Sequence, residues 1–194
     1  MADSTVSGLT ATTTIAGTDF VLVSSGATTK KISGVNLKIA VERPYVRITD
    51  RKAEGINGGT FTSGSWQNRD INTEEDDDFN LVTIATNRFT LAAGTYRARI
   101  RCPAYNVSRN KARLYNFTDS IIVLNGSTGQ HCSGGSSSQT WIVGKFTIAA
   151  AKELVIQHRC QVSTTTYGFG VSVGDQWAGD GYETYTEAEF WLIG

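Results

Sequence analysis

Arginine recurs at every second position, Arg97, Arg99 and Arg101, within the run Gly94-Thr95-Tyr96-Arg97-Ala98-Arg99-Ile100-Arg101-Cys102. A guanidinium stripe at this period can pair with carboxylates, hold an anionic partner or simply face water. Base stacking on a nucleic acid is poorly supported, because no aromatic side chain is interleaved with the arginines on that face. Carboxylates at the same spacing, Glu187 and Glu189, lie near the C-terminus, where Ala188, Phe190 and Leu192 alternate with Glu187, Glu189 and Trp191.

Other candidates for chemistry are few. The acidic run 74–78 reads Glu-Glu-Asp-Asp-Asp and offers the oxygen ligands that calcium takes. It lacks the alternate spacing and the glycine of a dedicated calcium loop, so a solvated loop is the plainer reading. His158 shares one strand face with Leu154, Ile156 and Cys160. A Cys–His nucleophile would need a reachable pair and an orienting third group. Cys102 and Cys160 on neighbouring strands near His158 would be the place for it, but a satisfied, partly buried histidine is the simpler expectation. The cysteines Cys102, Cys132 and Cys160 form no CxxC pair, and neither His131 nor His158 stands at zinc-site spacing from them. Glycan cleavage needs two carboxylates across a rigid cleft, and a polar loop is a poor platform for them. No catalytic, cofactor or metal site is expected.

Composition narrows the classes further. Lys plus Arg equals Asp plus Glu at 18 each among 194 residues, so no long-range field draws the chain to nucleic acid. No stretch approaches the roughly 18 uninterrupted apolar residues of a membrane span, and no membrane insertion is expected. The first residues, MADSTVSGLTATTT, lack a charged region followed by an apolar core, which predicts assembly in a cytoplasm rather than secretion. The odd cysteine count then predicts reduced thiols.

The elements that must position these residues read as strands, because Thr, Val, Ile, Tyr and Phe recur in short runs between Gly- and Ser-rich turns. Residues 1–43 stand apart. They carry one hairpin, 19–23 with 28–32 around a turn at 24–26, in which Phe20 and Leu22 share one face and Val21 and Val23 the other. About 40 residues rarely bury enough surface to fold alone, so this segment is expected to dock on something. Pro44 marks the boundary of the main domain. Within 44–194 the expected strands are 45–49, a short edge strand in 66–71, 81–85, 88–91, 94–102, 112–116, 121–125, 141–148, 153–162 and 183–193. The stretch 126–138 reads as a flexible loop, and 141–148 with 153–162 as a hairpin. Strands at this spacing without an intervening helix predict a two-sheet antiparallel sandwich or barrel.

Several motifs match a known architecture. Phe89-Thr90-Leu91-Ala92-Ala93-Gly94-Thr95-Tyr96 resembles the Phe-x-x-x-x-Gly-x-Tyr approach to the central strand of the complement C1q and tumour-necrosis-factor families. Phe146-Thr147-Ile148 followed by Leu154-Val155-Ile156, and the closing Phe190-Trp191-Leu192-Ile193, resemble that fold's later strands. The stretches Trp66-Gln67-Asn68-Arg69-Asp70-Ile71-Asn72-Thr73-Glu74, Ala112-Arg113-Leu114-Tyr115-Asn116 and Gly168-Phe169-Gly170-Val171 are similar to virion proteins of tailed phages. Leu9-Thr10-Ala11 through Ala16-Gly17-Thr18-Asp19, with Thr28-Thr29-Lys30-Lys31-Ile32, is similar to the leader of many phage fibre and spike proteins.

The resemblance implies an all-β, C1q/TNF-like jelly roll over 44–194, preceded by an attachment segment over 1–43. It implies a homotrimer in a phage fibre, spike or decoration, on head or tail, located in the virion and assembled in the bacterial cytoplasm. Residues 1–43 would dock on other virion proteins, capsid or tail, with Phe20, Leu22, Val23 and Ile32 as the apolar anchor. Arg97, Arg99, Arg101, Glu187, Glu189 and Trp191 would lie at the trimer interface, with Arg97 and Arg99 paired to Glu187 or Glu189 within or between subunits. The loops 103–110 and 174–182 would reach the tip, presenting Tyr105, Asn106, Asp175, Trp177, Asp180 and Tyr182 to a host glycan or receptor. Trp177 packed beneath its own loop is the competing reading. The alternative function is a secreted C1q-like recognition module.

Overall fold

The structure is a computed structural model and describes residues 20–25, 28–33, 43–130, 135–173 and 181–194. It divides into two units, 1–43 and 44–194. The first contains β1 (Phe20–Ser25) and β2 (Thr28–Ser33), an antiparallel pair in which Val21 lies opposite Ile32, Leu22 opposite Lys31 and Val23 opposite Lys30.

The second unit contains β3 (Tyr45–Ala53), β4 (Gln67–Asn68), β5 (Thr73–Asp77), β6 (Val82–Ala85), β7 (Arg88–Leu91) and β8 (Gly94–Tyr105). It continues with β9 (Arg109–Asn116), β10 (Ile121–Gln130), β11 (Ser137–Ile148), β12 (Lys152–Cys160) and β13 (Tyr182–Leu192). One sheet runs β11-β8-β13-β3-β5, and the other runs β10-β9-β12-β7-β6 with β4 added on β12. All pairings between these strands are antiparallel. This is the two-sheet antiparallel sandwich expected from the sequence.

Period-two alternation builds the core. In β8, Tyr96, Ala98, Ile100 and Cys102 are buried, while Arg97 and Arg99 are exposed. Leu154, Ile156, His158 and Cys160 of β12 face them from the other sheet, all buried. Phe89 meets Phe190 across the sandwich with ring centroids 5.4 Å apart. Each such fully buried side chain contributes roughly 1.5–3 kcal/mol. The short β6–β7 hairpin turns on Thr86 and Asn87, both at positive φ (50° and 62°), the twist that matches flanking strands.

Four expectations are corrected. The acidic run is mostly strand β5, because its charges also obey period two. Glu74 and Asp76 face water, whereas Glu75 accepts from Thr49 Oγ1 at 3.0 Å and Asp77 accepts from the Leu81 and Val82 N–H groups at 2.9 Å each. Within the supposed loop 126–138, residues 126–130 and 137–138 are strand, since β10 runs to Gln130 and β11 starts at Ser137. Its small residues permit close packing: a Cβ on Gly126 would lie 2.8 Å from the Ala112 carbonyl oxygen and 2.9 Å from Ile142 Cγ1. β11 and β12 are not a hairpin. β11 pairs with β8 and β12 with β7 and β9, so residues 149–151 cross between sheets. Alternation places both strands' apolar faces on one core and cannot tell a hairpin from such a corner. For the same reason Cys102 and Cys160 sit in opposite sheets rather than on neighbouring strands.

Candidate functional site

The outer face of the five-stranded sheet gathers the charged residues singled out in the sequence. Register sets Arg99 opposite Glu189, Arg101 opposite Glu187 and Arg97 opposite Trp191, because β13 runs antiparallel to β8. Arg99 Nη1 lies 3.7 Å from Glu189 Oε2. Glu189 also accepts from the Tyr45 hydroxyl at 2.8 Å, and burial together with that hydrogen bond pushes the Tyr45 phenol well above its ordinary value. Glu187 takes Arg47 rather than a stripe arginine, at 3.0 Å, and this hydrogen bond raises the Arg47 pKa. Among the described residues Arg97 makes no ion pair, so its expected partnership with Glu187 or Glu189 is absent within the chain. Glu187 and Glu189 thus lie between the arginines of β8 and a second arginine row on β3, which the β8–β13 spacing alone did not reveal.

Aromatic rings frame this ladder. Tyr45 packs on Trp191 at 5.3 Å between centroids, and the Arg99 guanidinium lies 4.9 Å from the Trp141 ring. Val143, opposite Arg99 on β11, is 63% exposed, and the Arg99 side chain is 57% exposed. Glu189, enclosed by its partners, is only 17% exposed.

The loop end is smaller than expected. Pro103 and Tyr105 belong to β8 and Arg109 to β9, so the turn is 106–108, closed by positive φ at Asn106 (54°) and Ser108 (58°). Tyr105 is half-buried against Tyr167, edge to face at 5.4 Å, while Asn106 is exposed. Tyr182 opens β13 and is exposed, with the Arg51 guanidinium 3.3 Å from its ring centroid. Asp175, Trp177 and Asp180 lie outside the described residues, as do His131 and Cys132. Exposed Tyr167, Ile56, Val171 and Val173 were not singled out, because a lone aromatic or aliphatic residue in a Gly-rich stretch carries no periodic signal.

The interior holds the remaining reactive groups. His158 is buried and donates from Nε2 to Asn110 Oδ1 at 3.0 Å, and Asn110 Nδ2 donates to Ser138 Oγ at 2.8 Å. Its Nδ1 has no hydrogen-bond partner among the described residues. Burial, aided by the nearby Arg69 cation, holds the imidazole well below its usual pKa, so it is neutral. Burial pushes the Cys102 and Cys160 thiols up to about 11. Neither thiol is poised as a thiolate, which is the nucleophilic form. Arg69 is fully buried and donates to Thr186 Oγ1 at 2.7 Å, the Pro103 carbonyl at 2.9 Å and the Phe169 carbonyl at 3.1 Å. It ties β8, β13 and the 164–170 segment together.

The buried imidazole links stability to pH. The unfolded chain protonates this histidine near pH 6.5 and the folded chain only at lower pH. Between those values the unfolded state holds more protons, so stability rises with pH. The contribution is complete above about pH 6.5 and is lost as pH falls toward the folded value, at up to about 1.4 kcal/mol per pH unit. His158→Gln should flatten the difference between urea midpoints at pH 5 and pH 7. An unchanged difference would mean that another group carries it.

No known family's sequence pattern matches the chain, and no curated protein sequence matches it. Solved structures do. The globular domain of zebrafish complement 1qA protein is 16% identical, covers 79% of this chain and 98% of its own, and gives a TM-score of 0.46. Murine APRIL at pH 8.0 is 6% identical over 78% of this chain and 100% of its own, with a TM-score of 0.49. Murine APRIL at pH 5.0 has the same identity and coverage with a TM-score of 0.50. The last likeness, with the sheet order above, shows the C1q/TNF-like jelly roll as a fold.

Proposed function

We propose that this protein is a non-enzymatic, homotrimeric structural and recognition module of a tailed-phage particle. The observation that carries the trimer is the outer face of β11-β8-β13-β3. Val143 stands 63% exposed beside Trp141 and Arg99 on a broad sheet face. An apolar and charged surface of this kind is what a closed symmetric interface covers. Association around a three-fold axis would shelter Val143 and bring Arg97 within reach of a neighbour's carboxylates.

The phage setting rests on the sequence similarities over 9–32 and 66–74. In this reading residues 1–43 dock on the particle through Phe20, Leu22, Val23 and Ile32, and 44–194 project from it. The turn 106–108 and the start of β13 lie at one end of the five-stranded sheet, since β8 ends where β13 begins. Tyr105, Asn106 and Tyr182, with Asp175, Trp177 and Asp180, would meet a host glycan or receptor there. An exposed ring such as Tyr182 suits sugar stacking, and the exposed Asn106 amide suits a sugar hydroxyl.

Two comparisons test this. Protein lacking residues 1–43 should fold yet fail to join particles, and normal occupancy would remove the anchor. Trp177→Ala and Tyr105→Ala should each lower adsorption of particles to host cells by about tenfold, the effect of losing roughly 1.4 kcal/mol of contact. Unchanged adsorption with normal incorporation would leave the protein a decoration without a receptor.

A further inference from the structure

The second sheet carries a groove of about 720 Å³ on its outer face, lined by Trp66, Arg109, Lys111, Gln130, Arg159 and Gln161 among others. Among the described residues no carboxylate lines it, although the whole chain is neutral. The register explains how the cations gather. Arg109, Lys111 and Arg113 alternate along β9 with the buried Asn110 and Ala112, so all three leave the same face. β12 then sets Arg159 directly opposite Lys111. Like charges directly opposed on a sheet face are destabilising.

Two other cations of this sheet are neutralised. Arg88 pairs with Glu153 at 3.1 Å and Lys152 with Asp119 at 2.7 Å. Arg109, Lys111 and Arg159 have no ion pair among the described residues. The groove therefore holds concentrated, uncompensated positive charge in a site whose volume suits a small ligand.

Its other groups narrow the ligand. Trp66 is held in place by Arg113, whose guanidinium lies 4.1 Å from the ring and whose Nε donates to Gln157 Oε1 at 2.9 Å. An aromatic ring fixed at the wall of a groove gives a pyranose something to stack on. Ser108 Oγ donates to Gln161 Oε1 at 3.0 Å, which orients that amide, and among the described residues its NH₂ group has no acceptor. A register shift between Asn125 and Thr128 bends β10 at the groove's edge, the device by which a strand re-aims side chains.

We infer that this groove binds an acidic saccharide, a sugar unit bearing a carboxylate or phosphate. The anion sits between Lys111, Arg159 and Arg109, its ring lies against Trp66, and its hydroxyl groups meet Gln130 and Gln161. The groove adjoins the turn 106–108, whose Ser108 holds Gln161, but its lining includes none of Tyr105, Asn106 and Tyr182, and it lies on the other sheet from the face proposed for the trimer, so variants of Lys111, Arg159 and Trp66 test it apart from the proposed function.

The full-length protein should be titrated by calorimetry with an oligogalacturonate tetramer, maltotetraose, inorganic phosphate and an oligothymidylate. The oligogalacturonate should bind, weaken at least about fivefold between 50 and 300 mM salt as screening requires, and bind at least ten times more tightly than neutral maltotetraose. Phosphate should compete with it weakly. Lys111→Gln with Arg159→Gln should abolish binding while leaving the melting temperature equal or higher, since the opposed like charges are gone. Trp66→Ala should weaken oligogalacturonate at least tenfold and leave phosphate unchanged. Equal binding of maltotetraose would overturn the inference, because the cations would be idle. So would oligothymidylate binding as tight as oligogalacturonate, for that describes an unselective basic patch. No binding of oligogalacturonate at millimolar concentration would also overturn it.

Discussion

Arg69→Ala should destabilise the protein by roughly 3–5 kcal/mol, the combined cost of unpaired interior acceptors and the cavity left behind. Arg69 has no exposed surface and satisfies three interior acceptors, with its guanidinium 4.3 Å from the Phe169 ring centroid. Truncation strands the Pro103 and Phe169 carbonyls and the Thr186 hydroxyl, each at about 1–3 kcal/mol where no partner replaces it, and leaves a cavity beneath the loop end. At about 2–4 °C per kcal/mol for a domain of this size, the melting temperature should fall by about 10 °C. Arg69→Lys should recover only part of the loss, because an ammonium cannot present the same planar fork to three acceptors. A melting temperature of Arg69→Ala within about 2 °C of the parent, the response to under roughly 1 kcal/mol, would show that the network contributes little.

The second large effect falls on assembly. Arg99→Glu places a carboxylate opposite Glu189, which already accepts from Tyr45 and is largely enclosed. Within one chain this costs about 0.2–1 kcal/mol, as for opposed like charges on a sheet. In the proposed trimer the same face is desolvated by a neighbour, and like-charge juxtaposition there costs several kcal/mol. Association should weaken by on the order of a hundredfold or more. Combining Arg99→Glu with Glu189→Arg should restore part of it, short of the parent because Tyr45 loses its acceptor. Light scattering across a dilution series reads both variants. A parent-like dilution curve for Arg99→Glu would place this face outside any interface.

Where alternation was strict, the sequence and the structure agree residue by residue. Tyr96, Ala98, Ile100 and Cys102 against Arg97 and Arg99 is one case, and Leu154, Ile156, His158 and Cys160 is another. Period two names a strand's inward face but not its sheet, which is why β11 and β12 read as a hairpin although they pack across the core from each other. Composition misled at 126–130, where glycine and serine serve close strand packing rather than flexibility. Charge misled at Glu74–Asp78, where a strand satisfies alternate carboxylates from β3 and the following turn.

Long-range partners were the least legible. Arg47 for Glu187 depends on β3 lying beside β13, and nothing local announces that an arginine between Asn68 and Asp70 will be wholly buried. The cationic groove also escaped notice. Arg109, Lys111 and Arg113 are legible as a stripe, but Arg159 and Trp66 join them only through the β9–β12 pairing and the short β4.

The central claim is that the exposed face of β11-β8-β13-β3 exists to meet copies of itself around a three-fold axis. Sedimentation equilibrium of the purified full-length protein at micromolar concentration tests it most directly. The account predicts a single species of three times the 21.0 kDa chain mass, with Val143→Glu shifting it toward the single-chain mass while leaving the fold intact. A parent protein that sediments only as 21.0 kDa monomer across that range would contradict it.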